Sequence, residues 1–404
     1  MKNNIFNRIL KKCYYCIYLP VSFFIIKLLY KKAKIKNNKI VVDNFMGKGW
    51  GENPKYIVEA LLEEKHNLDI VWLVNDKKTL MPHQIRKVKY NTPQAIKEYL
   101  TARVWIDNVK NSVKPNKRKN QFYLQTWHAG LGLKASERQI ENTLSSNYIK
   151  DAKRDADMTN LMLSDSVWTT EIYKNWFWYE GPIVKTGFPR NDILINPSHN
   201  INEKVYKYFN LAKDTKILLY APTFRDKDND LKVYKFDFFK ILSVLRKKFD
   251  SNYVVLVKLH PNLSNQTIQE KIYKFNSRII NATMYPDMQE LIVSSDILIT
   301  DYSSCMFDAM LAGKKVFLLA KDFQKFREKD RDLLFNIKED LPFSFANNEA
   351  EIIENIENFN INQYQKDVVN FSKKMGLYED GKSSKRVAKI ILDHLKLKEK
   401  TNEN

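Results

Sequence analysis

Short apolar runs and amphipathic runs alternate along almost the whole chain, and that alternation fixes the fold class. A strand covered on both faces reads as a block of Val, Ile, Leu and aromatics. A helix between two such strands returns the chain so that they lie parallel. The first block predicts strands at 39–45, 68–74, 103–106, 122–126, 159–163 and 183–186. Its helices are predicted at 54–64 and 93–100, with a buried aromatic helix at 167–179 that contains Trp168, Trp176 and Trp178. Residues 113–120 read as a basic, polar loop. A second block opens after the polar stretch 196–203, with strands at 216–220, 253–257, 278–281, 296–300 and 315–319. Its helices are predicted at 237–248, 264–275, 287–294 and 303–312, and a last amphipathic stretch at 383–398 is placed to cross back onto the first half. At 404 residues the chain is too long for one core of ordinary size. The expectation is an α/β protein with two Rossmann-like domains, 39–200 and 201–404, facing a cleft and preceded by a membrane-associating segment, 1–38.

The formal charge of +20 asks for a polyanionic partner, an anionic surface, or a simple Lys/Asn bias. It is concentrated at the start. Lys2, Arg8, Lys11, Lys12, Lys27, Lys31, Lys32, Lys34, Lys36 and Lys39 precede the first acidic residue, Asp43. The uncharged run 13–26 between them is shorter than the roughly 20 residues that span a bilayer, and Pro20 interrupts it. An anchor lying in the anionic inner face of the membrane is expected; a helix packed on the core is the alternative. Three cysteines (Cys13, Cys16, Cys305) argue against a disulfide framework, and no four-ligand zinc pattern can be assembled. There is no Walker A sequence, and Gly47, Gly49 and Gly51 do not make a dinucleotide fingerprint, so no cofactor and no metal are expected. The pairs Asp155/Asp157, Asp228/Asp230 and Asp330/Asp332 are set aside as exposed polar stretches.

Polar clusters stand where strands end, the place where open parallel sheets collect ligands. His128 lies in Trp127-His128-Ala129-Gly130, with Gly130 letting backbone approach a ligand and Lys134 nearby to suit an anion. His260 follows a strand in Lys258-Leu259-His260-Pro261-Asn262. Asp301-Tyr302-Ser303-Ser304 opens a helix and runs on to Asp308. Helix N–H groups and two hydroxyls there fit a phosphate, or one serine merely caps the helix. Arg190, Asn191 and Asp192 offer a guanidinium and an amide, the arginine gripping phosphate or pairing with Asp192. Thr223 and Arg225 repeat the theme in the second half.

Taken in order, Trp127-His128-Ala129-Gly130, Gly187-Phe188-Pro189-Arg190-Asn191-Asp192, Tyr220-Ala221-Pro222-Thr223-Phe224-Arg225, Lys258-Leu259-His260-Pro261-Asn262 and Asp301-Tyr302-Ser303-Ser304 resemble the CDP-glycerol glycerophosphotransferase family of teichoic-acid and capsule synthesis. The resemblance covers roughly 41–395. It implies a GT-B fold, a peripheral enzyme of the cytoplasmic membrane face, and transfer of glycerol or ribitol phosphate from a CDP-alditol to a lipid-linked or polymeric acceptor. It also implies His128 as catalytic base, and His260, Arg190, Ser303, Ser304 and Asp308 around the donor phosphates and departing CMP. Ala129 stands where the family commonly has glycine. A nucleotide-sugar glycosyltransferase of the same architecture is the rival. Nucleic acid is not expected as a partner, since no known binding signature is present. A homo-oligomer is left open.

Overall fold

The computed structural model describes residues 19–395 apart from 31, 65–66, 112, 199, 226–230, 261–262, 264–272 and 330–332. The helix expected at 264–275 falls mostly outside the described residues, as do Cys13, Cys16, Pro261, Asn262, Asp228, Asp230, Asp330 and Asp332.

Two parallel sheets carry the fold. The first contains β1 (Lys36–Val42), β2 (Asp69–Val74), β3 (Arg86–Lys89), β4 (Ala102–Asp107), β5 (Phe122–Gln125), β6 (Leu161–Ser164) and β7 (Ile183–Lys185), in the order β3-β2-β1-β4-β5-β6-β7. The second contains β8 (Lys216–Tyr220), β9 (Tyr253–Val257), β10 (Ile279–Asn281), β11 (Ile297–Thr300), β12 (Lys315–Leu319) and β13 (Ser344–Ala346), ordered β10-β9-β8-β11-β12-β13. Each is doubly wound, so the strand order reverses between β1 and β4 and again between β8 and β11. Helices cover both faces, which is why the central strands are buried throughout.

The helix Ser383–Leu395 does not stay with the second sheet. Its Val387, Ala388, Ile391 and Leu395 pack with Ile40, Val42, Ile57 and Leu61 under the first.

Several elements differ from expectation. β3 (Arg-Lys-Val-Lys) was not expected, because at an edge only Val88 of the four is buried and the run reads as polar. The helix Ser146–Met158 was also not expected. It buries Ala152, Asp155, Ala156 and Met158, a stripe too small and too charged to register as apolar. The aromatic helix ends at Trp176, which is 38% exposed rather than buried. Lys114 is fully buried rather than part of a solvated loop, because Asp107 and Asp155 each approach its Nζ to 2.6 Å. Asp155 is therefore not on an exposed stretch.

Near the start, the described residues open with the helix Leu19–Tyr30. It packs on the helix Pro93–Thr101, with Lys97 over the Tyr30 ring, and leaves Val21, Phe24, Ile25, Leu28 and Leu29 exposed. Among the described residues no helix is long and apolar enough to cross a membrane.

Candidate active site

The carboxyl edges of the two sheets meet. The helix Glu52–Glu63, which follows β1, sends Lys55 to Asp287 (2.6 Å) and Glu290 (3.2 Å) at the start of the helix after β10. Leu133, after β5, accepts a backbone hydrogen bond from Leu334, after β12. Arg190, after β7, bridges Glu52 (2.8 Å) and both oxygens of Asp308 (3.0 Å) in the helix after β11. The polar loops at the strand ends therefore converge on one cleft.

His128 is partly buried and is held from several sides. Its Nδ1 lies 2.7 Å from the main-chain oxygen of Asn108, just past β4. A carbonyl oxygen only accepts, so Nδ1 carries the proton and Nε2 is the basic nitrogen of the neutral ring. The rings of Trp127 and Phe45 meet the imidazole at 4.3 and 5.0 Å. Trp127 adopts φ +54°, a left-handed conformation costly for a bulky residue, and this turns the following histidine out of the strand direction. The turn is braced by Gln125, which accepts from Trp127 N at 3.0 Å, and by Asn53, which donates to its carbonyl at 3.1 Å. Gly130 is required by sterics. A Cβ there would sit 1.7 Å from Asp165 Oδ2, with the Phe188 ring also too close.

His260 is exposed and stacks on Phe224 at 5.2 Å with the rings 19° from parallel. Lys258 is committed to backbone past β10. Its Nζ donates to the carbonyls of Thr283 (2.8 Å) and Tyr285 (2.6 Å), and burial pushes its pKa down to about 8. Lys134 lies over the Phe326 ring at 5.0 Å, opposite Leu333 in an antiparallel bridge between the halves.

Most of the charged residues expected to grip phosphate are turned to another use. Arg190 is not paired with Asp192. Burial works against its cation, and Asp308 and Glu52 overcome that, holding its pKa above the ordinary value. Burial pushes Asp308 up to about 6 despite Arg190, and Gln289 donates to it at 3.1 Å. Asn191 donates to Glu379 at 2.8 Å, and Asp192 accepts from the backbone of Ser383 and Ser384, so both tie the returning C-terminal helix to the first half. Arg225 is buried between Asp301 (2.8 Å) and Asp322 (2.7 Å), with Tyr302 and Phe326 against its guanidinium. Asp301 also accepts from Thr223 N and Tyr302 N, pinning the loops after β8 and β11 to each other.

The hydroxyls are less committed. Ser304 stands at the helix N-cap with no side-chain cap bond, and Ser303 Oγ accepts only a long 3.4 Å bond from Cys305 N. Thr223 Oγ1 is buried with no hydrogen-bond partner among the described residues. These groups sit where the second sheet reverses, the position that binds ligands in doubly wound folds. Asn53, Lys55, Asn44 and Asn108 were not singled out from sequence. Each has at least one partner 63 or more residues away, as in the 2.6 Å contact of Lys55 with Asp287, 232 positions away. No local spacing reports such partners.

Two Rossmann-like sheets with a histidine-bearing cleft between their carboxyl edges define a GT-B-type α/β protein. The chain belongs to the CDP-Glycerol:Poly(glycerophosphate) glycerophosphotransferase family, whose profile matches residues 24–393. It is 30% identical over 378 residues to the teichoic acid poly(glycerol phosphate) polymerase of Staphylococcus epidermidis, covering 91% of this chain and 52% of that protein. The chain thus spans about half the length of that relative. The teichoic acid glycerol-phosphate transferase of Staphylococcus aureus is 29% identical over 377 residues, covering 89% of this chain and 94% of that one. The solved structure of the wall teichoic acid polymerase TagF superposes with a TM-score of 0.82 at 28% identity, covering 98% of this chain and 99% of that chain. A histidine-substituted variant of TagF soaked with CDPG superposes at 0.81.

Proposed function

We propose that this chain transfers glycerol phosphate from CDP-glycerol to a hydroxyl of a polymeric or lipid-linked teichoic-acid-type acceptor, releasing CMP. The observation that carries the reading is His128, held at the cleft with Nδ1 engaged and Nε2 as its basic nitrogen. In the proposed step the acceptor oxygen attacks the phosphorus that bears glycerol, and a new O–P bond forms. The bond from that phosphorus to the bridging oxygen breaks, CMP departs with the electron pair, and the acceptor proton passes to Nε2. General-base assistance of this kind is worth about 10²–10⁴-fold. His260 and the hydroxyls of Thr223, Ser303 and Ser304 are assigned to the pyrophosphate and the departing CMP, where oriented donors disperse developing charge. Arg225, Asp301, Asp308, Asp192 and Lys258 are assigned a supporting role, since their polar groups engage protein partners. Arg190, Asn191 and Lys134 join them through Asp308, Glu379 and the Phe326 ring, although Arg190 Nε and Asn191 Oδ1 have no partner among the described residues. Glycerol is preferred over ribitol as the alditol, because the family description and both relatives' names specify glycerol phosphate.

The exposed face of the helix Leu19–Tyr30 is assigned to the anionic cytoplasmic surface of the membrane. Phe24, Leu28 and Leu29 lie on that face, and the exposed Lys32, Lys34 and Lys36 follow it. Each cation near such a surface adds about 1 kcal/mol. Sedimentation with anionic but not zwitterionic vesicles is expected.

The activity is tested by incubating the protein with CDP-glycerol, CDP-ribitol and a panel of nucleotide-sugars in the presence of membrane acceptor. Acceptor-dependent CMP from CDP-glycerol is expected. UDP or GDP release without CMP would make it a glycosyltransferase instead.

A further inference from the structure

We infer that Asn108 is a positioning residue for His128, setting both the tautomer and the placement of its imidazole; this rests on His128 acting as the base. Asn108 is fully buried at the point where the first sheet reverses between β1 and β4. Its main-chain oxygen receives the 2.7 Å contact from Nδ1. Its side-chain Oδ1 accepts from Phe45 N at 2.9 Å, and its Nδ2 donates to Asn44 Oδ1 at 2.8 Å. Asn44 in turn donates to the carbonyl of Lys48 at 2.8 Å.

These bonds hold a turn that would not hold itself. Phe45 and Met46 have φ of +45° and +57°, left-handed conformations that cost non-glycine residues energy unless the surroundings impose them. Asn108 fastens the start of this turn, and Asp43 fastens its end by accepting from Gly47 N at 2.8 Å. The turn carries the Phe45 ring that meets the imidazole. One residue therefore supplies the acceptor for Nδ1 and anchors an aromatic neighbour of the ring. The position needs one donor and one acceptor on a short side chain, which an amide provides. Aspartate keeps only the acceptor, and leucine of similar volume keeps neither. Asp107 stiffens the same peptide, its Oδ1 accepting from Val109 N at 3.0 Å and its main-chain oxygen from Thr126 N at 2.8 Å.

The test compares Asn108→Ala, His128→Ala and the double variant in the full chain. Readouts are kcat and KM for CDP-glycerol by CMP release, and the His128 tautomer by 15N NMR of histidine-labelled protein. Groups that orient metal-ligating histidines typically contribute about 10–100-fold, and a loss of the same order is expected for a positioned base. Asn108→Ala keeps the main-chain acceptor, so the Nδ1-protonated tautomer is expected to persist while kcat falls about ten- to a hundredfold with KM unchanged, as the turn that places the imidazole is released. In the His128→Ala background it is expected to cost nothing further. Asn44→Ala removes the partner of Asn108 Nδ2 and leaves Asn108 in place. It is expected to give the same pattern at smaller size, and it carries the test should Asn108→Ala fold poorly. An equal loss in the His128→Ala background, or a wild-type kcat in both amide variants, would overturn the inference. Full activity of His128→Ala is a separate result that strikes the assignment of the base instead.

Discussion

The two edges of the cleft spend their polar residues differently. On the first sheet's edge a single imidazole is held by a carbonyl, two aromatic rings and backbone turns in strained conformations. On the second sheet's edge the charge is directed inward: Arg225 is consumed by Asp301 and Asp322, and what remains near the cleft is mainly hydroxyls. Proton transfer needs one group fixed in tautomer and direction. Binding a pyrophosphate needs several donors on loops that do not move, and buried ion pairs are one way to make such loops rigid. A motif arginine beside a phosphate-suited serine is thus no sign, by itself, of a phosphate contact.

The largest expected effects come from breaking the brackets. Arg225→Ala leaves Asp301 and Asp322 buried without their cation, and denaturant unfolding should show a loss of about 3–5 kcal/mol. Arg190→Ala should cost a similar amount, about 3–5 kcal/mol, read in the same way. If either variant is as stable as wild type but fails to bind CDP-glycerol, that arginine belongs to the substrate and the contrast between the edges collapses.

A smaller effect is tied to pH. Lys258 is charged in the unfolded chain below about 10, but burial lowers its folded pKa to about 8. Its buried cation therefore opposes folding at pH 7, and the penalty is relieved as pH rises from about 8 towards the unfolded value. Relative to Lys258→Met, the wild type should gain up to about 3 kcal/mol across that window. A flat difference with pH would mean that the ammonium is solvated in the folded protein.

The hydroxyls sharpen the contrast from the other side. Thr223→Val removes a buried oxygen with no partner, so stability should hold or rise slightly, while donor affinity measured by calorimetry should fall about five- to tenfold, the worth of one hydrogen bond. Ser304→Ala should leave stability within about 0.5 kcal/mol, since no cap bond is lost, and raise KM for the donor a few-fold.

Much of this was legible in the sequence. β8, β9 and β12 coincide with the apolar runs that predicted them. The motif loops lie at the ends of strands, because a two-face-buried strand must end where polar residues begin. What could not be read is which polar residues bind one another. The Asn44–Asn108 pair, the Arg190–Asp308 bracket and the Lys114–Asp155 contact each join residues brought together only by the tertiary fold. Arg190 stands two residues from Asp192 and suggests a local pair, yet the two side chains take different partners, Arg190 meeting Glu52 and Asp308 and Asp192 the backbone of Ser383.

The most direct test is single-turnover CMP release from CDP-glycerol, with acceptor present, by wild type and by His128→Ala. A fall of about 10²–10⁴-fold is expected in the variant, with donor binding and unfolding midpoint unchanged. Equal rates in the two proteins would contradict it, and would require another group at the cleft to take the acceptor's proton.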